Sequence, residues 1–183
     1  MNNISIKDNI EYEGKILNIN INEIRSKLKK LKAIKKNEYE FKRYVFDTIP
    51  KTDNRWVRLR SDGKQTTLTV KEIKSNSIDG TSEWEVDVSD IKTTLTILEK
   101  IGISPRGYQE SNREDYELDS ASISIDCWPK LPPYLEIEAE NVEKVIKIAD
   151  LLGFKKEDVV GDNTEKLYAD IGINLKKEAE IRF

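Results

Sequence analysis

Like-charged residues recur two positions apart on stretches whose intervening residues are apolar, and this pattern limits the available folds more than any other feature of the chain. Glu83, Glu85 and Asp87 alternate with Trp84, Val86 and Val88; Glu136 and Glu138 alternate with Leu135, Ile137 and Ala139; Arg58 and Arg60 alternate with Val57 and Leu59. Glu11, Glu13 and Lys15 share one parity, with Tyr12 and Ile16 on the other. Lys71 falls in with Thr67 and Thr69, and Asp126 with Ser122 and Ser124. Residues two apart in a strand point to one face, about 6.6–6.8 Å from each other. One charged face is ordinary for a half-buried antiparallel sheet. Repeated like-charged pairs are not, because they repel unless opposite charge or a metal offsets them. A closed barrel resolves the conflict: apolar faces pack outward beneath helices, and charged faces of both signs line a shared interior.

The rest of the chain supplies the helices. Apolar residues at helical spacing predict helices over 21–34, 89–101, 141–152 and 164–171, with Asn20 or Asn22 as the first N-cap and Gly102 and Gly153 as stops. Period-two alternation predicts strands over 10–19, 43–47, 55–60, 66–73, 83–88, 113–118, 121–127 and 134–139. The turn 61–64 makes a hairpin of its flanking strands, 75–82 reads as a polar loop, and Pro129, Pro132 and Pro133 mark a connection. A weak repeat runs through the chain, in which a Glu-x-Glu strand leads into an amphipathic helix. Trp56, Trp84 and Trp128 read as packing between sheet and helices, Tyr168 as either a packing or a site residue, and Cys127 as a buried thiol facing away from Asp126. Lys27, Lys29, Lys30, Lys32, Lys35 and Lys36 read as a wet helix face.

Composition narrows the chemistry. The chain has no histidine, which removes Ser-His-Asp triads, Cys-His pairs and histidine-ligated zinc. Acid–base and metal chemistry then fall to Asp, Glu, Lys, Tyr and water, and oxygen ligands favour magnesium, manganese or calcium. Carboxylates for a divalent cation beside Arg and Lys for phosphate oxygens are the equipment of phosphoryl transfer. The net charge of −3 gives no general attraction to nucleic acid or anionic membrane. Residues 1–10 lack an apolar leader core, no apolar stretch approaches about 18 residues, and the single cysteine fits a reducing compartment. The expectation is one cytoplasmic domain over 1–183, with neither nucleic acid nor membrane as partner and no oligomeric state specified.

The ordered motifs carry a family resemblance. Glu11-Tyr12-Glu13-Gly14-Lys15 matches the E-x-E-x-K pattern of the CYTH superfamily, which includes class IV adenylyl cyclases, thiamine triphosphatases and inorganic triphosphatases. Tyr44-Val45-Phe46-Asp47-Thr48 resembles its Y-F-D-T strand, Arg58-Leu59-Arg60 its R-x-R, and Leu68-Thr69-Val70-Lys71 its L-T-x-K. Glu83-Trp84-Glu85, Arg113, Asp126 and Glu136-Ile137-Glu138 follow in order. The resemblance implies an α+β fold, an eight-stranded antiparallel β-barrel or triphosphate tunnel with amphipathic helices packed outside. It implies that Lys15, Arg58, Arg60, Lys71 and Arg113 grip a triphosphate. Glu11, Glu13, Glu136 and Glu138, with Asp126 nearby, would hold Mg²⁺ or Mn²⁺, and Glu83 and Glu85 would support the site. Glu11, Glu13, Lys15, Glu136 and Glu138 form the implied catalytic set, with a metal-bound water attacking a terminal phosphorus. The leading expectation is hydrolysis of tripolyphosphate, ATP or another organic triphosphate. The alternatives are a class IV adenylyl cyclase and a non-catalytic polyphosphate- or nucleotide-binding barrel. Three positions depart from the pattern. Ser111-Asn112-Arg113 lacks the lysine of K-x-R, for which Arg106 or Lys130 is a candidate substitute. Leu167-Tyr168 replaces S-Y, and Gly14 stands where bulkier residues are common.

Overall fold

The alternating segments form strands that close on themselves. The computed structural model describes residues 9–183, so the N-terminal stretch read as lacking a leader lies outside the described residues apart from Asn9 and Ile10. The described elements are β1 (Ile10–Ile16), α1 (Ile21–Lys30), β2 (Ile34–Asp47), β3 (Arg55–Ser61), β4 (Thr66–Ile73) and β5 (Thr81–Val88). They continue with α2 (Ile91–Lys100), β6 (Pro105–Leu118), β7 (Ala121–Cys127), β8 (Tyr134–Ala139), α3 (Val142–Leu151), α4 (Thr164–Asp170) and β9 (Glu180–Ile181). The sheet order is β2-β3-β4-β5-β1-β8-β7-β6, and β2 also pairs with β6, so eight antiparallel strands make a closed ring. Closure leaves those strands no free edge. The two-residue β9 adds a short parallel contact at Tyr108 and Gln109 of β6.

The closing pair is longer than its alternation predicts. β2 and β6 each span fourteen residues and pair from Ile34↔Glu117 to Phe46↔Pro105, whereas alternation marks only 43–47 and 113–118. Residues 35–38 of β2 are exposed on both faces, and β6 turns Gln109 and Ser111 inward, so neither half shows an apolar period. Helix α1 stops at Lys30 rather than reaching 34 for a related reason. Lys32 takes φ 59°, its N–H donates to Lys29 O (3.1 Å), and Ala33 N–H donates to Leu28 O (2.9 Å). This is a Schellman stop made with lysine in place of the usual glycine. Helices α2 and α3 end the same way at Gly102 and Gly153, as the sequence predicts. Asn20, Asp90, Asn141 and Asn163 cap the four helix N-termini by accepting from the N–H three residues on. At the other end of β1, Asn18 at φ 56° breaks the strand short of residue 19.

The apolar faces lie outside the ring. α1 and α3 cover β1, β7 and β8 through Ile24, Leu28, Val145 and Ile148, packed on Ile16, Ile123, Leu135 and Ile137. α2 covers the opposite side with Leu98 against Phe46 and Leu59. α4 joins Trp128, Tyr134, Leu175 and Ile181 in a third cluster, and Tyr168 donates its hydroxyl to Pro129 O (2.7 Å), which settles it as a packing residue. Gly14 belongs to this outer packing. A Cβ there would lie 2.5 Å from Val159 Cγ1 and 2.9 Å from Val145 Cγ1, so its absence lets α3 and the 159–160 segment sit directly on β1. Lys15 and Val160 then exchange two backbone hydrogen bonds. Among the described residues no helix is long and apolar enough to cross a membrane.

Candidate functional site

The charged faces meet inside the ring. A cavity of about 330 Å³ is lined by all twelve residues that the sequence singles out: Glu11, Glu13, Lys15, Arg58, Arg60, Lys71, Glu83, Glu85, Arg113, Asp126, Glu136 and Glu138. Strand parity alone achieves this, because once the apolar sides are committed to helices the other parity must face inward. A second hollow of about 160 Å³ shares Phe41, Arg60, Glu85 and Arg113 with the first, so the two adjoin across these side chains.

Inside, acids and bases neutralise one another. Arg113 forks onto Asp126 (Nε–Oδ1 2.9 Å, Nη2–Oδ2 2.8 Å) and also reaches Glu136 (2.7 Å). Lys15 pairs with Glu13 and lies 3.2 Å from Glu136. Lys71 sits 3.0 Å from Glu11 and also pairs with Glu83. Arg58 donates to Thr69 (3.3 Å), Glu83 (3.2 Å) and Glu85 (3.1 Å). Arg60 is only 3.8 Å from its nearest carboxylate, Glu85.

Burial makes these partnerships consequential. Burial opposes charge on Glu136, yet Arg113, Lys15 and Lys71 outweigh it and hold the carboxyl well below the usual range. Burial likewise opposes charge on Glu83, but Lys71 and Arg58 pull it down to about 2. Its neighbour Glu11 goes the other way: burial, with Glu83 and Glu13 adding and Lys71 resisting, pushes it up to about 8. Lys71 pairs with both acids, so the two lie together around one cation. Burial raises Asp126 to about 6 against the pull of Arg113. Burial, Glu136 and Glu13 also raise Glu138. On the cationic side, burial with Arg58 and Arg113 lowers Arg60 to about 9.

Several further residues line the cavity without having stood out as site residues in the sequence, and three of them bear on its chemistry. Trp56, expected between sheet and helices, lines the cavity instead, because it shares the parity of Arg58 and Arg60. Trp128 also lines it, although its ring is mostly buried in the α4 cluster. Trp84, on the other parity of β5 from Glu83 and Glu85, does not line the cavity. The third residue is Arg43 of β2, 6% exposed, which lines the cavity and donates to Ser111 Oγ. Its parity with Val45 and Asp47 was visible, but a lone cation among aromatic and apolar residues does not stand out. Arg106 reaches the cavity too, tied to Glu165 (2.7 Å) and Asp47 (3.5 Å), while Lys130 is exposed and does not line it. Cys127 does not line the cavity and is half-buried rather than fully buried as expected, with burial raising its thiol pKa.

The acids suit a divalent cation in type and placement. Glu13 and Glu138 are direct cross-strand partners, so two like charges face each other, and of the two only Glu13 pairs with Lys15. No ion pair to Glu138 occurs among the described residues, whereas the other acids are engaged by Lys or Arg. In this arrangement no three described carboxylates converge into a cage. Magnesium does not require one, since it typically takes one or two carboxylates with water and substrate phosphate.

Comparison with known proteins now fits this geometry. The CYTH domain pattern matches residues 9–166. The chain belongs to the CYTH family. No curated protein sequence matches it. Among solved structures, the PH1012 protein of Pyrococcus horikoshii OT3 superposes with a TM-score of 0.74 at 24% identity, covering 86% of this chain and 98% of that one. A candidate adenylate cyclase from Vibrio parahaemolyticus gives a TM-score of 0.74 at 13% identity, covering 89% and 99%. A candidate adenylyl cyclase from Hippeastrum, HpAC1, described as having a dominant triphosphatase activity, gives 0.60 at 16% identity, covering 88% and 96%. At these identities the likeness establishes the CYTH fold, the closed eight-stranded antiparallel barrel that the family resemblance implies.

Proposed function

We propose that this CYTH protein is a divalent-metal-dependent phosphohydrolase that cleaves inorganic triphosphate, or the triphosphate of a small organic substrate, inside the barrel. One observation carries the reading. Arg58, Arg60 and Arg113 crowd one cavity with Lys15 and Lys71, and the cavity also holds the facing acids Glu13 and Glu138. A polyanion bringing its own divalent cation would give opposite-charge partners to two cavity groups little engaged among the described residues, Arg60 and Glu138. The cavity volume of about 330 Å³ is at the small end for ligand sites. That suits a bare triphosphate chain, with any organic group protruding from the barrel.

The chain's residues divide the work. Arg58, Arg60 and Arg113 exchange carboxylate partners for phosphate oxygens, which guanidinium forks match well. Lys15 and Lys71 neutralise charge on the same chain of phosphates. Glu13 and Glu138, with Glu11 beside them, would hold the cation, Mg²⁺ or Mn²⁺. When bound, it would neutralise phosphate charge and lower the pKa of a coordinated water. Glu136 and Asp126 hold Arg113 and Lys15 in position, and Glu83 and Glu85 do the same for Arg58 and Lys71. Positioning and charge neutralisation of this kind account for most of phosphoryl-transfer catalysis. A cytoplasmic setting and a small-molecule partner belong to the same reading, supported by the free half-buried Cys127 and the cavity size.

A second reading has one observation in its favour. Trp56 lines the cavity and offers an aromatic face to a nucleobase, which suits a class IV adenylyl cyclase acting on ATP. A phosphorus NMR time course with tripolyphosphate and with ATP, each with Mg²⁺ or Mn²⁺, decides between them. Orthophosphate from tripolyphosphate is expected. Cyclic AMP with pyrophosphate as the dominant ATP products would reverse the ranking, and binding without turnover of either would leave a non-catalytic barrel.

A further inference from the structure

Arg43 is more deeply buried than its partners justify. It is 6% exposed, its Nε has no hydrogen-bond partner, and its one side-chain hydrogen bond among the described residues goes to the neutral Ser111 hydroxyl. Among the described residues no carboxylate pairs with it, in contrast to Arg58 and Arg113. Its direct cross-strand partner on β3 is Arg60, so two like charges face each other across a strand pair. The two guanidiniums flank the Phe41 ring, at 5.7 Å for Arg43 and 4.4 Å for Arg60. Arg43 also lies 4.3 Å from the centroid of Trp128. Burial, with Arg58, Arg60 and Arg113 adding to it, disfavours its charge strongly. An arginine does not escape by losing its proton. Cation–π contact with two rings offsets less than the burial of an unpaired charge costs. An anion in the cavity would give this guanidinium the charged partner that the described carboxylates do not.

We propose that Arg43 is a phosphate-binding residue of this cavity, oriented by the Ser111 hydroxyl and the Trp128 ring, and that it supplies from β2 the cation that β6 lacks at position 111. The inference rests on the proposed triphosphate site and adds a residue to it. The pairing is structurally specific. Ser111 is small and 1% exposed, and the Arg43 guanidinium reaches its hydroxyl, so a lysine at 111 and the arginine at 43 would compete for one place. A phosphoryl group between Arg43 and Arg60, on adjacent strands, would give each a charged hydrogen-bond partner.

The test is calorimetric titration of tripolyphosphate into the intact protein and its variants, paired with thermal melts without ligand. Arg43→Met keeps the packed stem and removes the charge. It should weaken tripolyphosphate binding at least tenfold while leaving the ligand-free melting temperature unchanged or higher, a combination that a merely structural arginine would not produce. The double variant Arg43→Met/Ser111→Lys returns a cation from the neighbouring strand and should recover most of the lost affinity. Arg60→Met serves as the control for the site. If Arg60→Met weakens binding and Arg43→Met does not, the assignment of Arg43 is wrong and the site stands. If neither changes binding, the triphosphate site itself is wrong. Should Arg43→Met melt lower, the double variant decides: a folded double variant with no recovered affinity overturns the proposal.

Discussion

Replacing Arg113 with methionine tests how far the barrel interior depends on its own ion pairs. Arg113 is the main counterion of two neighbouring carboxylates, Asp126 at 1% exposure and Glu136 at 9%. Its loss leaves Glu136 with Lys15 at 3.2 Å and strips Asp126 of its bidentate partner. Removing one partner of a buried pair costs about 3–5 kcal/mol. For a domain of this length each kcal/mol moves the melting temperature by about 2–4 °C, so a fall of about 6–20 °C is expected at about pH 8. The sign of the pH dependence follows from Asp126. Its pKa is already raised to about 6, and without Arg113 it rises further above the ordinary value of 3.8. The folded protein then holds a proton that the unfolded chain releases, so stability falls as pH rises through the folded pKa. The deficit of Arg113→Met should therefore shrink towards about pH 5 and widen towards about pH 8. Adding Asp126→Asn should recover more than half of the loss at the higher pH. Melts followed by circular dichroism at both pH values read all three outcomes. An equal deficit at both pH values, with no recovery in the double variant, would show that buried charge is not what Arg113 neutralises.

Three further expectations follow from named contacts. Glu138→Gln removes an acid that has no cationic partner among the described residues, so the ligand-free melting temperature should hold or rise while metal-dependent turnover falls at least a hundredfold; a stable variant with full turnover removes Glu138 from the metal site. Gly14→Val forces a side chain into Val159 and Val145 and should cost about 1–3 kcal/mol by overpacking, read as a lower urea midpoint; an unchanged midpoint would mean that α3 moves away freely. Glu114 is held down to about 2 by its hydrogen bond from Arg25, against burial, with Tyr116 and Lys35 adding. Its contribution is present above its ordinary value of 4.5 and is lost as pH falls through about 2, so Glu114→Gln should flatten the acid limb of the stability curve; identical acid limbs would contradict this.

The barrel was legible because a physical conflict was written into the strands. Pairs such as Glu136 and Glu138 cannot share a face comfortably unless that face meets opposite charge; Lys15 and Arg113 supply it from nearby strands, and the closed ring adds Arg58 and Lys71 to the same cavity. Local signals failed where backbone geometry is set by tertiary contacts. Lys32 ends α1 in a conformation that sequence rules reserve for glycine, and the paired β2 and β6 extend through residues with no apolar period because each ladder supports the other. Within the site, Arg58 and Arg60 announced themselves as a pair. Trp56 carried the same parity but was read by its residue type, and Arg43 stood alone between Phe41 and Val45. Its significance depends on Arg60 and Ser111 from two other strands, which no linear pattern places beside it.

The most direct test of the account is calorimetric titration of tripolyphosphate into the wild-type protein, into Arg58→Ala, and into Lys92→Ala as a control on the exposed side of α2. Arg58 lines the cavity and would donate charged hydrogen bonds to phosphate, each worth about 1.5–3 kcal/mol. The account predicts that Arg58→Ala weakens binding by about 10- to 150-fold and that Lys92→Ala binds like wild type. Equal affinity in all three proteins would place the triphosphate outside the barrel and contradict the central claim.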